Sequence, residues 1–340
     1  MRVSAVTIKD IAKILGISKS TVSRALSEHS DVNSETRKKI LEIAQQLNYQ
    51  PNMLALNLKQ QRTNILGVII PETVNRFFAK AIAGVQKVAT LAGYNVMICQ
   101  SDESYATERN NLATLIASHV DGVLISVSGE TETTEHFDVL LQRQIPIVFF
   151  DRICEGLNTS QVYTDNYEIS FKGTEHLIAQ GCKQIAYVAG PQNLYNSHNR
   201  LRGYVEAMKK NNLPIREDYI IQSHFRSQAV AQYTAQLLNL PQRPDAVFAI
   251  NDHAAIEMMH VIKKNGLRVP QDIAMLGFNN EDICRFVDPS LSTIDISAYD
   301  MGAAATEILL SQIKNPGQAP QKRLIKSELV VRDSTRLLPY

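Results

Sequence analysis

The chain has 340 residues, 44% hydrophobic and 20% charged, with 6% aromatics and no Trp; this excludes general disorder and predicts two or three domains. Its formal net charge of +1 excludes a uniformly basic polyanion binder. The charge is divided, however: residues 1–62 hold ten Lys/Arg against five Asp/Glu, and residues 63–340 hold 25 against 29, the pattern of a small polyanion-binding module on a nearly neutral body.

Helical periodicity governs the first fifty residues. Ile8, Ile11, Ala12 and Leu15 recur at spacings of three and four and define one face of a short helix. Thr7 stands at its N-cap with Asp10 in capping-box position, and Gly16 follows its end. Ser18 can cap a second helix with Val22, Ala25 and Leu26 inward. Asn33 or Ser34 opens a third, with Ile40, Ile43, Ala44 and Leu47 along its apolar stripe. Tyr49-Gln50-Pro51 ends it, because the residue before proline is pushed out of the α region. Three short helices with a tight first turn make a helix-turn-helix unit. The linker 51–62 has helix formers, but it is too short to hold a helix alone in water.

From Ile65 onward, apolar runs of strand length appear at 65–70, 94–99, 121–126, 145–150, 184–190, 245–250 and 273–278. Amphipathic stretches of helical length separate them, at 78–91, 106–118, 168–180, 199–211, 227–239, 252–265 and 298–313. Continuous apolar strands alternating with helices predict parallel sheets covered on both faces. This much chain predicts two doubly wound lobes with a ligand cleft near the carboxyl ends of the strands. The fold class expected is therefore an all-α helix-turn-helix headpiece followed by a two-lobed α/β body.

Cys99, Cys154, Cys182 and Cys284 are widely spaced and form no C-x-x-C, so they are expected to be reduced thiols in a core. Lys9, Asp10 and Lys13 interrupt the N-terminus, which excludes a secretory signal, and no uncharged apolar run reaches a membrane-spanning length. A soluble, cytoplasmic chain is predicted, with no membrane partner. No phosphate loop, dinucleotide fingerprint, nucleophile elbow or zinc-protease motif occurs. His253 and His260 have a core or rim spacing on one helix, and 130–138 reads as a solvated loop entering a helix. No catalytic residue, metal or cofactor is expected.

In the second helix Lys19, Ser20, Ser23 and Arg24 point outward. In a helix-turn-helix this helix enters the major groove, where Arg24 can take guanine bidentately and hydroxyls serve bases or phosphates. The bland alternative is a Ser-capped solvent-facing helix. The run from Thr7 to Asn52 closely resembles the DNA-binding headpiece of the LacI/GalR family of bacterial transcriptional regulators. Its carriers are I-S-K-S-T-V-S-R (17–24) and Leu47-Asn48-Tyr49-Gln50-Pro51-Asn52, continued by Ala55, Leu58, Thr63, Gly67 and Val68. The likeness covers the whole chain: N-x-F-F after the first strand, V-D-G-V-L-I-S (120–126), Asp151, A-G-P before an Arg, Asn251-Asp252, and G-F-x-N (277–280).

The resemblance implies base-edge contacts from Lys19, Ser20 and Arg24, and phosphate contacts or support from Thr7, Ser18, Thr21, Ser23, Asn33 and Tyr49, with Asn52 in the same DNA-binding set. It implies that 51–62 is a hinge helix ordered on DNA, with Leu58 wedged into the minor groove. It also implies a periplasmic-binding-protein-like body with three crossovers. The first lobe would span about 63–162 plus 293–322, and the second about 163–292 plus 323–340. The effector pocket would draw on Asn75, Phe77, Phe78, Asp151, Arg200, Phe225, Asn251, Asp252 and Asn279. Arg76 stands where the family commonly has proline, and Asn279 where many sugar binders have aspartate; a sugar-like effector is expected, with a nucleobase-like one also open. The expected function is that of a repressor that binds double-stranded, pseudo-palindromic operator DNA as a homodimer under control of a small molecule. The chain's end at Leu338-Pro339-Tyr340, without a heptad tail, favours a dimer over a tetramer. A transporter's solute-binding protein would lack the helix-turn-helix, and an α/β enzyme fused to a DNA-binding domain would need a phosphate loop or a paired acid and base.

Overall fold

The computed structural model describes residues 6–26, 32–49, 62–74, 76–223 and 229–336, and the chain divides into two compact units, 1–63 and 64–340. The hinge segment, with Asn52 and Leu58, lies outside the described residues, as do Asn75 and Phe225.

In the first unit α1 (Ile8–Leu15), α2 (Lys19–Leu26) and α3 (Ser34–Gln46) pack through Ile11, Ala12, Val22, Ala25, Ile40 and Ala44, with Leu26, Ile43, Leu47 and Tyr49 against them. The termini follow from local chemistry. Thr7 donates from its backbone N–H and its hydroxyl to Asp10 Oδ2 at 2.8 and 2.7 Å, and these bonds hold the Asp10 carboxyl below its usual range. Gly16 adopts φ 65°, a left-handed conformation that costs glycine nothing, and Ile17 N–H donates to Ala12 O at 3.1 Å. Ser18 Oγ accepts from Thr21 N–H at 3.1 Å and Asn33 Oδ1 from Glu35 N–H at 2.8 Å.

The second unit runs β1 (Ile65–Ile70), α4 (Arg76–Leu91), β2 (Asn95–Gln100), α5 (Tyr105–Ala117), β3 (Gly122–Ile125), α6 (Asp138–Gln142) and β4 (Ile147–Phe150). It continues through β5 (Ser160–Thr164), α7 (Asn166–Ala179), β6 (Ile185–Ala189), α8 (Tyr195–Lys210), β7 (Ile220–Gln222) and α9 (Val230–Leu238). Then follow β8 (Ala246–Phe248), α10 (Asp252–Lys264), β9 (Ala274–Phe278), β10 (Ser292–Asp295), α11 (Ala298–Lys314), β11 (Lys322–Ile325) and β12 (Glu328–Val330). The strands form two six-stranded sheets, ordered β11-β5-β4-β3-β1-β2 and β12-β10-β9-β8-β6-β7. All neighbours are parallel except β10 and β12. In each lobe the strand order reverses beside the first strand, and ligands of open α/β sheets bind at such switch points.

The chain changes lobes between β5 and α7, between β10 and α11, and between β11 and β12. These passages lie slightly beyond the boundaries read from the sequence. Ile294 pairs with Phe278 and keeps β10 in the second sheet, while Ile325 pairs with Thr164 and keeps β11 in the first.

Each lobe has one close helix crossing made possible by glycine. A Cβ on Gly302 of α11 would sit 2.0 Å from Ala81 O of α4, and one on Gly203 of α8 would sit 2.3 Å from Tyr167 O of α7. The obstructing atoms are backbone, so no rotamer change relieves the clash. Gly302→Ala is therefore expected to cost about 1–3 kcal/mol as the helices separate, measured by urea unfolding. An unchanged midpoint would show that this crossing tolerates a methyl group.

Candidate functional site

Two constellations carry the chemistry, one in each unit. In the headpiece Thr7, Ser18 and Asn33 sit at the starts of the three helices, where backbone N–H groups and the helix dipole favour phosphate. Lys19, Ser20 and Arg24 are exposed on α2, while Thr21 and Ser23 are half-buried at its base. The Ser18 hydroxyl lies 2.7 Å from that of Ser20 and 2.8 Å from that of Thr21, so the start of α2 is a cluster of hydroxyls. Tyr49 is half-buried against the core, and burial raises its phenol pKa.

In the body, Asp151 follows β4 with φ 58° and is buried. Arg200, on α8 of the other lobe, is also buried. Its Nε donates to Asn166 Oδ1 at 2.7 Å, and its guanidinium lies 3.7 Å from the Phe278 ring centroid. Burial pushes the Asp151 carboxyl up, opposed by the charges of Arg200 and Arg152 and by a hydrogen bond with Asn196. Burial likewise lowers Arg200, and the Asp151 charge acts against that. The two charges thus face each other across the cleft and partly offset each other's desolvation.

Arg152, which the sequence reading does not single out, is central. Its guanidinium forks onto Glu103 with N···O distances of 2.6 and 2.9 Å and donates to Val127 O at 3.2 Å. It also lies 5.8 Å from the Phe78 ring centroid. Asn166, Asn196 and Glu103 were missed too. Their only sequence signal is position, at or near the starts of helices that follow strands. Phe77 and Phe78 open α4 as expected, but both rings are buried, edge to face at 5.1 Å, in the lobe core.

On the second lobe Asn251 caps α10, accepting from Ala254 N–H at 2.8 Å. Asn279 is half-buried with φ 108°, and its N–H donates to Ile294 O at 2.8 Å. Asp252 departs from the expected role. It is fully buried; one oxygen accepts from the Thr293 hydroxyl and the other from Glu281 N–H at 2.8 Å. Both oxygens are committed to the protein, so this carboxylate joins α10 to β10 and the loop after β9.

Burial pushes Asp252 up to about 6, against the pull of Thr293 and of Glu281 N–H. A carboxyl raised above its unfolded value of 3.8 favours the folded state below that value. The advantage is lost as pH rises through about 6. Asp252→Asn keeps both hydrogen bonds if its amide donates to Thr293. The variant should therefore lose this pH dependence and gain on the wild type between pH 4 and pH 7, measured by denaturant unfolding. Parallel pH profiles would contradict the assignment.

The segment 130–138 is a loop entering a helix, with Glu130, Glu132, Thr133, Glu135 and Asp138 exposed, but part of it turns inward. Thr131, the His136 side chain and Phe137 are buried. Glu108 Oε1 accepts from Thr131 Oγ1 at 2.9 Å and lies 2.8 Å from His136 Nε2, while Oε2 accepts from Ser128 N–H at 2.6 Å. Beside this loop a cavity of about 250 Å³ opens between the lobes, lined by Thr131, Glu132, Cys154, Asn193, Tyr195 and His198 among others. Cys154, Cys182 and Cys284 are free and buried, and Cys99 is free and half-buried. Among the described residues no helix is long and apolar enough to cross a membrane.

Comparison with known proteins matches both parts of the chain to known families. Residues 7–52 match the family of bacterial regulatory proteins, lacI family, and residues 174–335 match the periplasmic binding protein-like domain. The chain is 33% identical over 339 residues to the HTH-type transcriptional repressor CytR of Escherichia coli strain K12, covering 99% of this chain and 98% of that one. It is 30% identical over 334 residues to the HTH-type transcriptional repressor PurR of Vibrio campbellii, covering 98% and 99%. Among solved structures, the Lac repressor dimer bound to operator and the anti-inducer ONPF shares the fold. Its TM-score is 0.85 at 24% identity, over 98% of this chain and 99% of that one.

Proposed function

The chain belongs to the LacI family of bacterial regulatory proteins, and from that premise we propose that it is a cytoplasmic repressor of an operator read by a dimer. In this reading Lys19, Ser20 and Arg24 address base edges. Thr7, Ser18, Thr21, Ser23, Asn33 and Tyr49 hold or support contacts to the phosphates. A small polar effector, sugar-like or nucleobase-like, binds between the lobes against Asp151, Arg200, Asn251 and Asn279, with Phe77 and Phe78 behind the wall. Its binding changes the lobe arrangement and with it operator affinity, and the coupling is reciprocal. Self-association is supported by apolar surface on the body: Phe286 is 79% exposed and Ile283 beside it is exposed as well.

The observation that carries the DNA half is the exposed polar face of α2, raised on a buried apolar one. Selection of duplexes from a random pool by the full chain tests it. Two half-sites related by a dyad are expected, and a recovered pool with no common sequence contradicts the reading. For the effector half, the full chain is melted with sugars, sugar phosphates, nucleosides and nucleobases. A ligand at a hundred times its Kd stabilises by about 2.7 kcal/mol. No shift with any of these classes contradicts it.

A further inference from the structure

The two lobes meet at both edges of the cleft, and the two edges differ in kind. At one edge the contact is neutral: Asn193 Nδ2 of the second lobe donates to Gly129 O and Thr131 O of the first at 2.9 and 3.1 Å. At the other edge the contact is ionic. Arg76 Nη2 lies 2.8 Å from Asp282 Oδ2, and Lys80 Nζ lies 3.7 Å from Asp282 Oδ1. Lys80 Nζ also stands 3.5 Å from Asn280 O. Both cations stand on α4 of the first lobe, one turn apart, and the anion follows β9 of the second.

Three features separate this cluster from an ordinary surface pair. Its partners belong to different lobes, so it stabilises neither lobe by itself and acts only on their relative arrangement. All three side chains are about half exposed, so the bonds can open to water without leaving a buried charge. Arg76 also lies beside Phe77 and Phe78 at the start of α4, at the strand-order switch where a ligand would enter.

We propose that Arg76 and Lys80 clasp Asp282 across the cleft and hold this edge closed, so that these three exposed charges, in addition to the buried charges of Asp151 and Arg200, bias the lobes toward closure in a way that ionic strength weakens. The proposal rests on the reading that lobe arrangement carries the effector signal. The pair is worth a small amount, as exposed pairs are, and therefore biases the equilibrium roughly two- to fivefold. It makes the effector response salt-dependent independently of any salt effect on DNA binding.

The test is a distance measurement by electron spin resonance on the full chain without DNA. Labels are placed at Lys87→Cys on α4 and Lys264→Cys on α10, both exposed, in a Cys99→Ser background, and the sample is diluted with unlabelled chain. At low salt the wild type should show one dominant distance. Asp282→Asn should raise the fraction at longer distance about two- to fivefold, and half-molar salt should do the same to the wild type but not to the variant. Reversing all three charges, Arg76→Glu and Lys80→Glu with Asp282→Arg, should restore the wild-type distribution. Identical distributions for wild type and Asp282→Asn at both salts overturn the clasp, as does a reversed cluster that restores nothing. Neither outcome depends on operator binding, so the clasp and the regulator reading fail separately.

Discussion

Arg200→Met is expected to lower the unfolding free energy by about 3 kcal/mol near neutral pH, the lower end of the cost of removing one partner of a buried charge pair. The lower end applies because Arg152 still acts on Asp151. The variant loses the stacking on Phe278 and the bond to Asn166, and it leaves the cross-cleft carboxylate with one cation fewer. The pH dependence identifies the cause. Burial already holds Asp151 above its unfolded value of 3.8, and without Arg200 the carboxyl rises further. A raised carboxyl favours the folded state below the unfolded value, and that advantage is lost as pH rises through the folded value. The gap between wild type and variant should therefore be small near pH 4, where only the stacking and the Asn166 bond are missing, and widen toward pH 7. Denaturant unfolding at both pH values measures it. A gap independent of pH would mean that Arg200 acts through these two contacts alone. The same variant should lose the stabilisation by whichever effector class shifts the wild type.

Arg24→Ala is expected to cost about 1–3 kcal/mol of base discrimination, a roughly ten- to hundredfold loss at one position of each half-site. Ser20 and Arg24 are four residues apart and so share one side of α2, and both are exposed. Arg24 is exposed in the last turn of α2, where a cation is worth about 1 kcal/mol at most against the helix dipole, so the melting temperature should fall by no more than that equivalent. Binding of the variant to a panel of single-base operator variants reads this directly. Preference should flatten at one position, while affinity for scrambled duplex changes far less. Uniform weakening across the panel would instead assign Arg24 to a phosphate.

The headpiece was legible in the sequence because its chemistry is local. Thr7 with Asp10, Gly16, Ser18 and Asn33 act within one helical turn. The long apolar strands were legible for the same reason. The strands that escaped notice, β5, β7, β10, β11 and β12, are short, and several are polar. β5 and β10 bury Ser160, Gln161, Ser292 and Thr293, satisfied by bonds to distant residues. Ser160 Oγ, for instance, accepts from Gln312 Nε2 and from Gln321 N–H, both at 2.9 Å. Alternation and hydrophobicity carry no trace of such partners. β5, β10 and β11 are also the strands after which the chain changes lobes.

The cleft divides along the same line. Asp151 and Arg200 were expected through the resemblance, and the charge of each acts against the desolvation of the other. Arg152 with Glu103 and Glu108 with His136 join residues 49 and 28 positions apart, which no spacing rule pairs. Asp252 misled because a carboxylate at the start of a helix near a cleft suits a ligand as well as a joint. Its two inward bonds decide for the joint.

The most direct test of the central claim is a salt titration of the full chain on the selected operator duplex and on a scrambled duplex of equal length. A protein that neutralises six to ten phosphates through a basic headpiece loses about a thousandfold or more in affinity between 50 and 200 mM salt. Both duplexes should weaken steeply, with the operator retaining an advantage of at least about a thousandfold throughout. Affinity that ignores salt, or equal affinity for operator and scrambled DNA at every salt concentration, would contradict a sequence-specific regulator.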